Sequence, residues 1–217
     1  MLNRKKMYLW ASLLLATFTF QAVAEETDAA ASLTKSLENI QTFRANFVQK
    51  IRGADGDNVS KSSGEMMVRR PGKFYWKSQA PDPVLVVADG KHLWTYDIDL
   101  AQVTKQDLNQ ALGNTPASLL AGSVVNLKDS FKISTAKKNQ CRGSDECYSL
   151  HPLSKDAAVA DIVIGFAKGK LQEISMHDSL GQDVYTKFSK VEINKNLENK
   201  IFDFVPPKGV DVIHAGN

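Results

Sequence analysis

Near the start of the chain the spacing of apolar side chains changes, and the new spacing then dominates the rest. SLTKSLENIQTF puts Leu33, Leu37 and Ile40 on one helical face, with Ser32 placed to cap the helix. The period then drops to two. FRANFVQKI carries Phe43, Ala45 and Phe47 on one side of a strand. Short runs broken by turn residues follow: GEMMVRR, KFYWKS, PVLVVADG, KHLWTYD and AQVTKQD, with a hairpin turn at Asp89–Lys91. NTPASLLAGSVV predicts a short apolar helix after Gly113, started by Pro116. FKIST, CYSLHP, ADIVIGFAKG, KLQEISMHD, DVYTKFSKVEI and FDFVPP resume the strand pattern. About eight to eleven short antiparallel strands with two or three helices make this an α+β protein or an open barrel. No internal repeat and no linker divides it.

One hairpin departs from the alternation. In GEMMVRRPGKFYWKSQAP, Arg69 and Arg70 stand at the turn, before Phe74, Tyr75 and Trp76. Two-residue hairpins need positive φ at their first residue, which Pro71 cannot adopt, so the spacing predicts a three-residue loop of Pro71, Gly72 and Lys73. Arg70 then lies opposite Phe74 and Val68 opposite Trp76. Met66, Val68, Arg70, Phe74 and Trp76 share one face, and Arg69 and Tyr75 share the other. An arginine on an aromatic face has two readings: it packs its stem at the rim of the core with its head in water, or it latches onto the unsatisfied carbonyls at the end of a short helix. The helix in TPASLLAGS is the natural acceptor.

The first residues say where the chain works. A basic start (Arg4, Lys5, Lys6), an apolar stretch from Met7 to Phe20 and small residues at Ala22 and Ala24 spell a secretory leader, residues 1–24, cut before Glu25. The apolar stretch is shorter than the roughly 20 residues a spanning helix needs, and no cysteine follows it to carry a lipid. The leader takes three of the 27 basic residues and none of the 24 acidic ones, so the remainder is balanced at 24 against 24. A neutral protein lacks the electrostatic footprint for nucleic acid or anionic membrane. The two cysteines, Cys141 and Cys147, are expected to form a local structural disulfide across a polar turn.

Catalytic motifs are missing. There is no G-x-S-x-G, H-E-x-x-H, P-loop or G-x-G-x-x-G. His92, His151, His177 and His214 are scattered, and Asp55 and Asp57 in GADGDN fit a turn better than a calcium loop. The expectation is a binding protein with no enzymatic activity, no metal and no cofactor.

Several stretches, in order along the chain, resemble the periplasmic outer-membrane lipoprotein carrier family, LolA: the leader, FRANFVQK, VRRPGKFYWK, LVVADGKHLWTYD, LGNTPASLLAG and FDFVPPKGV. The specific parts are R-P-x-x-F-x-W (Arg70, Pro71, Phe74, Trp76) and G-N-T-P (Gly113 to Pro116). The resemblance implies an open half-barrel of about eleven antiparallel strands, with a lid of short helices over an apolar cavity. Phe74 and Trp76 would line that cavity, with Leu37, Ile40, Leu119 and Leu120 closing over it and Arg70 latching the lid. It implies a monomeric periplasmic carrier that accepts acylated lipoproteins from the LolCDE transporter and passes them to LolB. Two departures stand out: Ala117 and Ser118 replace bulkier apolar residues, which would reduce the lid's contact with acyl chains, and the Cys141/Cys147 loop is not part of the family pattern. The competing reading is an envelope-stress regulator on a similar half-barrel, which senses lipoprotein and binds a membrane-protein partner. That group carries a second domain, for which this chain has no room.

Overall fold

A computed structural model describes residues 20–56, 59–79, 81–108, 116–122 and 127–215. Helix α1 (Phe20–Glu38) leads into a meander of β1 (Thr42–Arg52), β2 (Val59–Arg69), β3 (Lys73–Ser78), β4 (Val84–Asp89), β5 (His92–Asp97) and β6 (Gln102–Asp107). Two short helices follow, α2 (Pro116–Ala121) and α3 (Leu127–Ser130). A second meander comprises β7 (Phe131–Thr135), β8 (Glu146–Pro152), β9 (Val159–Ala167), β10 (Lys170–Asp178) and β11 (Asp183–Ile193), and β12 (Asp211–His214) closes the chain.

The strands make one twelve-stranded sheet in the order β12-β6-β5-β4-β3-β2-β1-β11-β10-β9-β8-β7. Pairing of β1 with β11 joins the two meanders. Every pair is antiparallel except β12 on β6, which is parallel. β7 and β12 do not meet, so the sheet stays open. The expected half-barrel is present, with one strand more than the resemblance implied.

The alternation in β1 decides which face is concave. Phe43, Ala45 and Phe47 are buried there, with Met66 and Val68 of β2, Ile162, Ile164 and Phe166 of β9, and Phe188 of β11. Helix α1 lays Leu33 and Leu37 onto this face, and Ile40 follows from the turn after it. Fully burying one such side chain stabilises the fold by about 1.5–3 kcal/mol. The convex face holds a smaller cluster of Met67, Leu197 and Phe202, with Tyr75 and Ile201 packed on it.

Three local expectations need correction. Ser32 is no cap, because the alanine-rich stretch before it continues the helix back to Phe20; its hydroxyl instead accepts from the Tyr148 O–H at 2.9 Å. FDFVPP forms no strand: Phe202 ends a 3₁₀ turn (Asn199–Phe202), and the two prolines beyond it have no N–H for a ladder. The last strand is β12 instead. The β2–β3 loop has three residues, but they are Arg70, Pro71 and Gly72, since Arg69 pairs with Lys73, Val68 with Phe74 and Met66 with Trp76. The Arg70–Pro71 peptide is cis, and Gly72 takes φ 74°, a value that glycine adopts at no steric cost.

The turn at Asp89–Lys91 stands where expected. The Asp89 carboxylate accepts from the backbone N–H of Lys91 (2.7 Å) and His92 (2.8 Å) and from Trp94 Nε1 (3.0 Å). Burial pushes that carboxyl up, but these donors outweigh it and bring the pKa down to about 2. Of the expected leader, residues 1–19 lie outside the described residues and Phe20–Ala24 form the start of α1. Among the described residues no helix is long and apolar enough to cross a membrane. Asp57 and Gly113–Thr115 also lie outside the described residues.

Cys141 and Cys147 are bridged, and closing so short a loop restricts the unfolded chain by about 2 kcal/mol. Glu173, 4% exposed, holds the loop down. Its carboxylate accepts from Arg142 N (2.9 Å), Ser144 Oγ (2.7 Å) and the Tyr185 hydroxyl (2.9 Å). Burial first, then Glu173, pushes the Tyr185 phenol up to about 12.

Gly64 lets the aromatic wall lie flat. Phe47 stacks on Trp76 with ring centroids 3.6 Å apart. A Cβ at Gly64 would fall on the Lys77 carbonyl oxygen and 2.9 Å from Phe47 Cε1. Gly64→Ala is therefore expected to destabilise the protein by about 1–3 kcal/mol, the range for overpacking. A lower urea midpoint at unchanged slope would show it; an unchanged midpoint would mean that the sheet yields without cost.

Candidate functional site

Between the concave face and α2 lies a cavity of about 320 Å³. Its wall is drawn from six strands and the helix: Gln49, Met66, Phe74, Trp76, Val86, Ile174, Met176, Val184, Thr186 and Phe188, with Leu120 of α2 above them. The lining is apolar except for Gln49 and Thr186. The volume is at the low end of the roughly 300–1,000 Å³ of small-molecule sites. Several long chains would need the lid to move.

Of the residues singled out in the sequence, Phe74, Trp76 and Leu120 meet at this cavity. Leu37, Ile40 and Leu119 are buried in the surrounding apolar core, at 0%, 3% and 2% exposure, without lining it. The side chains of Ala117 and Ser118 lie outside the described residues. The wall from β10 and β11 was missed. Its signal was the alternation of Ile174 with Met176 and of Val184, Thr186 and Phe188, which only the β1–β11 pairing brings opposite Phe74.

Arg70 stands at the edge of this lid. Its Nη2 donates to the Leu119 carbonyl at 2.8 Å and its Nη1 to the Gly122 carbonyl at 3.1 Å. The backbone N–H of Gly72 donates to the Ala121 carbonyl at 2.8 Å. One hairpin turn thus satisfies three carbonyls at the C-terminal end of α2, groups that a helix cannot satisfy itself. Arg70 Nε is buried with no hydrogen-bond partner among the described residues. Burial pushes the guanidinium down to about 10, against the opposing pull of Glu38, so it stays charged at neutral pH.

Arg69 points to the convex face, as the parity required, but it is not idle there. Nη1 donates to the Leu197 carbonyl at 3.1 Å, Nη2 bonds Asn199 Oδ1, and the guanidinium lies 5.3 Å from the centre of the Phe202 ring. The two arginines pin two different segments on opposite sides of one sheet. The Cys141–Cys147 loop is also away from the cavity wall, since Glu173 faces opposite to its neighbour Ile174. Among the described residues no group of three or more His, Cys, Asp or Glu could hold a metal ion.

An open antiparallel sheet around an apolar cavity, with a helix tied down over it by polar bonds, defines a protein built to enclose an apolar ligand. Comparison with known proteins agrees. The profile of the family described as outer membrane lipoprotein carrier protein LolA matches residues 38–205. An outer-membrane lipoprotein carrier protein of Pseudomonas putida is 40% identical over 208 residues, covering 96% of this chain and 97% of that protein. One of Nitrosomonas europaea is 40% identical over 192 residues, covering 88% and 91%. Among solved structures, an uncharacterized conserved protein from Thermus thermophilus shares the fold with a TM-score of 0.51 at 12% identity, over 89% of this chain and 99% of that one. The chain belongs to the LolA family of outer-membrane lipoprotein carriers.

The split between the arginines can be read by hydrogen exchange. Arg70→Leu removes two of the three bonds to α2, so amides of residues 119–122 are expected to exchange faster while Asn199–Phe202 stays protected. Arg69→Leu should do the reverse. Equal exchange of both segments in both variants would show that neither arginine holds its segment.

Proposed function

We propose that this lipoprotein carrier takes the acyl chains of its cargo into the cavity beneath α2, with Arg70 as the latch. The observation that carries the reading is the pair of bonds from Arg70 to the Leu119 and Gly122 carbonyls, at the edge of an apolar space. A buried methylene is worth about 0.8 kcal/mol, so acyl chains hold tens of kcal/mol against entering water. They cross an aqueous compartment only inside a protein that hides them. In this reading residues 1–24 direct the chain to the periplasm and are removed, the LolCDE transporter supplies the lipoprotein, and LolB receives it. The work is transport, not catalysis. Phe74, Trp76 and Leu120 contact the chains, while Leu37, Ile40 and Leu119 move with the lid.

The latch sets the direction of transfer. Hydrogen bonds from a charged donor are worth roughly 1.5–3 kcal/mol each when buried. Cargo breaks them on entry, and their reformation favours departure. Arg70→Leu removes this restoring term and adds apolar surface at the cavity edge. The variant is expected to release lipoprotein from inner-membrane vesicles normally, then accumulate as a soluble complex that fails to deliver to receptor-bearing membranes. Arg69→Leu should lose stability yet deliver normally. An assay scoring release and delivery separately decides it. Normal delivery by Arg70→Leu, or an equal delivery defect in a folded Arg69→Leu protein, would refute the latch.

A further inference from the structure

Two polar residues interrupt the wall of the cavity, and folding alone does not account for them. Gln49 of β1 and Thr186 of β11 are direct cross-strand partners. Along β1, Gln49 takes the place after Phe47 and before Ile51 on the same face; along β11, Thr186 does so between Val184 and Phe188. Thr186 is 6% exposed. Gln49 Nε2 donates to Thr186 Oγ1 at 3.0 Å, which uses one donor and one acceptor of the pair. A glutamine offers two N–H donors and a carbonyl, and a threonine both donates and accepts. A second amide N–H and the threonine proton therefore remain without a partner among the described residues, beside a cavity otherwise lined by apolar side chains. Gln49 is half-buried, and an apolar pair at this register would complete the wall without setting spare donors against it, which cost free energy where they go unmet.

We propose that Gln49 and Thr186 form a carbonyl-recognition subsite, which takes the ester or amide oxygen at the head of an acyl chain while the apolar wall takes the hydrocarbon. The proposal rests on the carrier reading above and deepens it, because the cavity then tells an acyl chain from a plain alkyl one. No lysine, arginine or histidine is among the residues lining the cavity. The subsite accordingly suits a neutral carbonyl and disfavours a fatty-acid carboxylate, whose charge would be buried unpaired. The carbonyl is fixed at the β1–β11 seam.

The test compares two probes that differ only in the carbonyl, monodecanoylglycerol and its ether counterpart monodecylglycerol. Binding to the mature protein is measured by titration calorimetry or native mass spectrometry. One net hydrogen bond is expected to make the ester bind about tenfold tighter than the ether. Thr186→Val and Gln49→Met, which hold volume nearly constant and make the wall more apolar, should bring that ratio to about one by weakening ester binding, while ether binding is retained or tightened. Retained ether binding also shows that the variants are folded and the cavity intact. Equal binding of ester and ether by the wild-type protein overturns the subsite while leaving the carrier reading standing. So does a preference that survives both substitutions. Failure of the wild-type protein to bind either probe overturns both.

Discussion

Closing an apolar cavity without making it permanent is the constraint on which this structure turns. Apolar packing of Leu119 and Leu120 against the concave face favours closure, but apolar cargo competes for that same surface. Polar bonds at the edge are different, because an acyl chain cannot replace them. The turn of Arg70 to Gly72 supplies three, two from the guanidinium and one from the backbone, all to carbonyls at the end of α2. The burial that holds the Arg70 pKa below its ordinary range is the cost of placing a cation there. Arginine meets that cost best, since it remains charged and can reach two carbonyls with one planar group.

Adjacent arginines at a strand end point to opposite faces, and this protein uses both. Arg69 ties the segment of Leu197 and Asn199 to the outside of the sheet, and Arg70 ties α2 to the inside. The hairpin is therefore a common anchor for the lid and for the segment that carries Leu197 and Asn199. Two other carboxylates act away from the cavity. Glu173 fastens the disulfide loop, and Asp89 closes the β4–β5 turn. The apolar wall of the cavity is thereby left free of groups that would hold water, apart from the Gln49–Thr186 pair.

What the sequence revealed follows from how far its signals reach. The alternation of Phe43, Ala45 and Phe47 is local and strong, and it placed the concave face correctly. Parity across the β2–β3 hairpin is also local, so it separated Arg69 from Arg70 even though the loop itself sits one residue earlier than expected. In that register the Gly72 N–H meets the Ala121 carbonyl, a contact 49 positions away that no turn rule contains. Arg69's partners lie 128 and 130 positions on and were invisible for the same reason. Gln49 and Thr186 look like ordinary exposed strand residues until the β1–β11 register sets them side by side. The four residues of β12 are all exposed, and their parallel pairing leaves no hydrophobic alternation to read.

The account is most directly tested at the Arg70 side chain itself, by arginine-selective NMR of the guanidinium in the protein without residues 1–24. Two anchored nitrogens should hinder rotation about the Nε–Cζ bond in the empty protein. Addition of an acylated peptide should release that rotation, and the same peptide without its acyl chain should leave it hindered. A guanidinium that rotates freely in the empty protein, or one that stays hindered when the acylated peptide is bound, would contradict a lid held by Arg70.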